Sequence, residues 1–214
     1  MNEKEILKQS ADFVRQKLGG EGTGHDWWHI YRVWQTAKTI SKEEGGNEFV
    51  IELAALLHDI ADHKFHNGDE SIGPRVATKF LVSLRVPKKI IDAVILIMEE
   101  ISFSKGMTPS SLEGRIVQDA DRLDAIGAIG IARAFAYGGH KQREIYNPDI
   151  PPVEYATKEE YKKNSNPTLN HFYEKLLLLK DLMNTAKGKA MAEQRHIFMK
   201  EYLDQFYLEW DGKR

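Results

Sequence analysis

The sequence predicts an all-α fold. Apolar residues recur at spacings of three and four through most of the 214 positions, and no run reads convincingly as a strand. Glycine pairs and prolines fall where the helical pattern lapses, as helix stops and starts require.

The first helix is marked by Ile6, Leu7, Ala11, Val14 and Leu18 and is stopped by Gly19-Gly20. A second starts near Asp26, presents Ile30, Val33, Trp34, Ala37 and Ile40 as its buried stripe, and ends at Gly45-Gly46. The third runs from about 48 to 61 and carries His58-Asp59 in its last turn, after the apolar run Phe49-Val50-Ile51-Glu52-Leu53-Ala54-Ala55-Leu56-Leu57. His63 to Gly68 reads as a loop. Ile72, Val76, Phe80 and Leu84 space a fourth helix, and Pro87 opens a fifth with Ile91, Val94, Ile95, Met98 and Ile101 inward. A sixth spans about 112–137, with Ile116, Ala120, Leu123, Ile126 and Gly130 on related faces, and stops at Gly138-Gly139. Residues 140–167, with four prolines and little periodicity, form a long irregular stretch of the kind that serves as a lid. Phe172, Leu176, Leu179 and Met183 then space one helix, and Ala190, Ile197, Tyr202, Phe206 and Trp210 a last one.

These elements read as a single domain over 1–214, with a core at about 20–137, the lid-like stretch 140–167 and C-terminal helices at 168–210. A net charge of −2 offers no electrostatic excess for nucleic acid or an anionic membrane. The absence of cysteine excludes disulfides and thiolate metal ligands. Met1-Asn2-Glu3-Lys4-Glu5 reads as a charged helix start, and every apolar run is shorter than the ~20 residues that span a bilayer. The expectation is a soluble, cytoplasmic protein that binds neither nucleic acid nor membrane.

Chemistry concentrates in three places: His25-Asp26-Trp27-Trp28-His29, His58-Asp59, and Asp119-Ala120-Asp121-Arg122-Leu123-Asp124. An ionised carboxylate at the end of so apolar a run needs a partner, because an unpaired buried charge is strongly unfavourable. Two imidazoles and two carboxylates suit a borderline divalent ion: manganese, iron, cobalt, nickel or zinc. Taken as His29, His58, Asp59 and Asp121, the set leaves positions of an octahedron open for water and substrate. Adjacent residues project ~100° apart on a helix, so His58 and Asp59 share an ion only near a helix end or between packed helices.

Competing readings are weaker. The histidine spacing of His25 and His29 matches the zinc-protease motif, but Asp stands where Glu is needed and His58-Asp59 is left without a task. Gly127 and Gly130 lack the strand and third glycine of a dinucleotide fingerprint and read as close helix packing. Ser102, Ser110 and Ser111 lack the G-x-S-x-G context of a serine hydrolase.

The strings "HDWWHIYRV", "LAALLHDIADHKF", "QDADRLDAIGAIGIARAFAYGG" and "HFYEKLLLLKDLMNT" resemble the HD superfamily of metal-dependent phosphohydrolases, in the compact bacterial YpgQ and YedJ branch. The resemblance runs from about His25 to the C-terminus. It implies an all-α, HD-type helical bundle with a divalent metal between helices, and hydrolysis of a phosphate or pyrophosphate bond in a nucleotide. It also chooses among rivals. His29, followed by Arg32-Val33, matches the first ligand in preference to His25, and Asp121 matches the last in preference to Asp119 or Asp124. Asp62 stands where relatives often place a Glu that handles protons. Two-metal relatives add histidines after the HD pair, and residues 98–104 contain none, which favours one ion, with manganese ahead of nickel, cobalt, magnesium, iron or zinc. His63 and His66 keep a second ion open.

Lys64, Arg32 and Arg122 are cations near these ligands that suit phosphate oxygens, and their alternative is an ion pair or a solvated face. His171 and Lys175, at helical spacing, are candidates to face the site from the C-terminal region. Trp27 and Trp28 read as core and rim before they read as a base-stacking platform. The reaction expected is cleavage of a nucleoside or deoxynucleoside triphosphate to monophosphate and pyrophosphate, by a monomer or homodimer. The alternatives are a nucleotide phosphomonoesterase, an alarmone hydrolase, or a non-catalytic metal and nucleotide sensor.

Overall fold

Asn2 starts the first helix, its side chain accepting a hydrogen bond from the Glu5 N–H at 2.9 Å, which satisfies one of the N–H groups that a helix start leaves bare. The computed structural model describes residues 2–18, 26–60, 71–101, 107–155 and 164–213; among these there is no strand. They gather into two compact units, Met1–Asp121 and Arg122–Arg214.

The first unit contains α1 (Glu3–Lys17), α2 (Trp27–Glu44), α3 (Glu48–Leu57), α4 (Ile72–Ser83), α5 (Lys88–Glu100) and most of α6 (Leu112–Asp124). Helix α3 packs against α1, α2 and α5, which explains an apolar run interrupted only by Glu52: a helix covered on several sides needs little polar face. Ile51, Leu53, Ala54, Ala55, Leu56 and Leu57 are all fully buried. Each such leucine or isoleucine contributes about 1.5–3 kcal/mol of transfer free energy. Asp26 and Asn47 cap α2 and α3. Between them Gly45 adopts φ +82°, a left-handed conformation that ends α2 at the glycine pair. Phe13 of α1 stacks on Phe80 of α4 at 4.1 Å. Helix α5 keeps the expected Ile91, Val94, Met98 and Ile101 buried, with Pro87 at its N-cap.

The second unit holds α7 (Gly127–His140), α8 (Asn170–Glu174), a 3-10 helix at Leu176–Leu182 and α9 (Ala186–Trp210). Helix α9 packs against α7 and the 3-10 helix. Three readings of the sequence need correction. The single helix at about 112–137 is two, α6 and α7: Ile126 is extended, and Gly127 follows at φ +75°. A Cβ on Gly127 would also come within 2.9 Å of Arg195 Cγ, so glycine meets both a backbone and a packing demand there. The helix spaced by Phe172 and Met183 breaks at Lys175 into α8 and the 3-10 segment. In α9 the buried face is Gly188, Ala192, Met199 and Leu203, while Ile197 and Trp210 are exposed. Its apolar residues are spread around the helix, so a stripe could be drawn on the wrong side.

The described part of the irregular stretch is organised by one side chain. Glu174 Oε2 accepts from Asn164, and its Oε1 accepts from Asn166, Tyr155 and the Val153 N–H, at 3.0–3.4 Å. Asn170 donates to the Ile150 carbonyl at 2.9 Å. Residues 156–163 lie outside the described part.

Candidate metal centre

His29 enters the site from the first turn of α2. Asp26 accepts its backbone N–H at 2.9 Å, which fixes the turn, and the side chain is buried. The inward stripe of α2, Ile30, Val33, Ala37 and Ile40, holds the helix against α3. His58 lies one residue beyond α3 and still has helical backbone angles. There its Nδ1 sits 2.9 Å from the Ala55 carbonyl, the bond a histidine near a helix C-terminus can make to a last-turn carbonyl. A carbonyl only accepts, so Nδ1 carries the hydrogen, and in the neutral ring Nε2 presents a bare lone pair. That Nε2 is buried and makes no hydrogen bond among the described residues.

Two carboxylates complete the group. Asp121 Oδ1 lies 3.4 Å from His29 Nε2 and 3.8 Å from His58 Nε2. Asp59 Oδ2 lies 3.6 Å from the first and 3.8 Å from the second. Ligand atoms of His29, His58 and Asp121 all fall within 4.8 Å of one another. These separations exceed the 2.7–3.2 Å of N–H···O hydrogen bonds, so direct hydrogen bonding does not explain the cluster. Ligands held about 2.1 Å from one ion are roughly 3 Å apart at right angles and about 4.2 Å apart when opposite. The two nitrogens and the Asp121 oxygen have a spacing that fits a divalent cation, with one imidazole already oriented by a backbone carbonyl. Asp59 lies beside both imidazoles but outside this mutually close set.

The rival carboxylates sit differently. Asp124 is buried and paired with Arg133, whose Nη1 lies 2.5 Å from Oδ2. Asp119 is fully buried and outside the cluster. His25, Asp62, His63, Lys64 and His66 lie outside the described residues.

Arg32 follows His29 on α2 and is half-buried. Arg122 donates from Nη1 to the Leu182 carbonyl within the second unit. His171 and Lys175 belong to that unit too. Burial, with Lys175 and Arg143 adding repulsion, holds the His171 imidazole down at about 3, so it is neutral at physiological pH. Sequence reasoning missed the Ala55 carbonyl, a backbone oxygen that carries no residue-type signal.

The HD-domain family model matches residues 27–126, which include all four clustered side chains. The chain is 38% identical to Bacillus subtilis YpgQ, the match covering 99% of this chain and 97% of that protein. A crystal structure of YpgQ in complex with ADP is similar at a TM-score of 0.74 and 35% identity, covering 95% of this chain and 97% of that one. An HD-superfamily hydrolase from Bacillus thuringiensis is similar at a TM-score of 0.80 and 45% identity, covering 98% and 99%. With near-complete coverage, shared identity and the His/Asp cluster in agreement, the chain belongs to the HD-domain superfamily, in the YpgQ-like branch.

Proposed function

We infer that the chain is a metal-dependent nucleotide phosphohydrolase that cleaves a nucleoside triphosphate to monophosphate and pyrophosphate. The observation that carries this is the convergence of His29, His58, Asp59 and Asp121 at 3.4–3.8 Å, with His58 oriented by Ala55. A divalent ion held there, manganese by preference, supplies a charge that acidifies water and polarises a phosphoryl oxygen. The ADP complex of YpgQ supports a nucleotide as ligand.

The protein's own part is positional. His29 and His58 present nitrogen donors from two helix ends, and Asp59 and Asp121 supply the negative charge that neutralises a dication. Arg32 offsets charge on phosphate oxygens. Asp62 accepts the proton of the attacking water as its oxygen bonds to the α-phosphorus, the α–β bridging P–O bond breaks and pyrophosphate leaves. Lys64 completes the proposed substrate contacts. One domain over 1–214 belongs to the same reading, supported by relatives matched along 97% and 99% of their length.

Chromatography of products from a nucleotide panel with manganese, nickel, cobalt and magnesium tests the reaction. Pyrophosphate is expected; free phosphate with a nucleoside points to a phosphomonoesterase, and metal binding without turnover points to a sensor.

A further inference from the structure

The aromatic side chains at the start of α2 form a ladder that the metal cluster does not use. Trp28 is 56% exposed and Tyr31 40% exposed, although the opposite side of the helix is fully buried through Ile30, Val33 and Ala37. The exposed rings are held in place. Trp28 meets Tyr31 edge to face at 5.9 Å and 81°, and Trp27 meets Tyr31 at 6.2 Å. Tyr31 in turn meets Trp34 at 6.5 Å, whose indole N–H donates to Glu52 at 2.7 Å.

Their position around the helix is informative. With ~100° per residue, Arg32 lies ~60° to one side of His29 and Trp28 ~100° to the same side. Viewed down α2, Arg32 and the exposed Trp28 therefore fall on the same side of the buried His29, Arg32 about 4.5 Å beyond it along the axis and Trp28 about 1.5 Å before it. A nucleotide presents both charged phosphate oxygens and a flat aromatic base to such a face.

We propose that Trp28 is the platform on which the nucleobase of the substrate stacks, with Tyr31 bracing the indole. This rests on the nucleotide reading above and adds to it the group that distinguishes a nucleotide from an inorganic polyphosphate. An indole face stacks on any base, so the platform selects for the presence of a base more than for its identity.

Calorimetric titration of the manganese-loaded protein with ADP and with inorganic pyrophosphate tests this without turnover. Wild type binds ADP more tightly than pyrophosphate. Trp28→Ala and Trp28→Leu weaken ADP by about ten-fold and leave pyrophosphate unchanged, and Trp28→Phe retains most of the affinity. Metal content by elemental analysis stays at the wild-type level in all three.

Unchanged ADP affinity in Trp28→Ala overturns the platform. So does equal weakening of ADP and pyrophosphate, which assigns Trp28 to the shape of the metal-ligand turn. Dissociation of a dimer in Trp28→Ala with ADP affinity intact gives the ladder to a second copy of the chain. Failure of the hydrolase reading is seen separately, as absent product with the base-dependent affinity retained.

Discussion

The rings of His29 and His58 meet edge to face, their centroids 5.4 Å apart and their planes inclined at 67°. One ring arrives from the start of α2 and the other from just past the end of α3. Each Nε2 lies near the same two carboxylates, one contributed by the turn after α3 and one by α6.

Replacing His29, His58, Asp59 or Asp121 by Ala is expected to remove metal and turnover together. The loss of activity should exceed the ~10–100-fold typical of losing an outer partner of a ligand. Elemental analysis after dialysis measures the first and product formation the second. Full metal in Asp121→Ala would exclude that carboxylate from the ligand set.

Asp62→Asn keeps size and hydrogen-bonding reach but removes basicity. Metal content and nucleotide affinity should be normal while kcat falls ~10²–10⁴-fold, the usual contribution of a positioned acid or base. A wild-type kcat leaves water activation to the metal alone.

His171 makes stability depend on pH. Its folded pKa of about 3 lies below the ordinary 6.5, so between those values the unfolded chain binds a proton that the folded chain does not. Stability from this group is therefore complete above about pH 6.5 and falls as the solution is acidified toward pH 3, by up to a few kcal/mol. Urea unfolding at pH 7 and pH 4.5 should show a smaller acid-induced drop for His171→Leu than for wild type. Equal drops would mean the imidazole is protonated in the fold.

Gly127→Ala is expected to destabilise by about 2–4 kcal/mol, combining a left-handed backbone with the close approach of Arg195. Thermal unfolding measures it. A neutral result would require Arg195 to withdraw from the Leu123 carbonyl it now donates to.

Where each helix pairs one buried stripe with a clear stop, the fold was legible from the residues alone. Asp26 and Gly45 delimited α2, whereas α3 ends at Leu57, so that His58-Asp59, expected in its last turn, lie just beyond it. The α6–α7 break was hidden because Ala125 to Ile129 keeps helical apolar spacing while Gly127 turns the backbone the other way. The breaks around Lys175 were equally silent, since a 3-10 helix and an α-helix draw on the same leucines. Of the site, residue types and spacing pointed to a metal cluster. The tautomer of His58 was not readable, because it depends on a backbone oxygen that every residue possesses.

Ala55 supplies that oxygen from the interior of α3, the helix pressed on by α1, α2 and α5. Substitutions beside Ala55 are therefore expected to reach the chemistry as well as the fold. A divalent ion bound by His58 would in turn stabilise the folded chain, because it binds the native state and not the unfolded one.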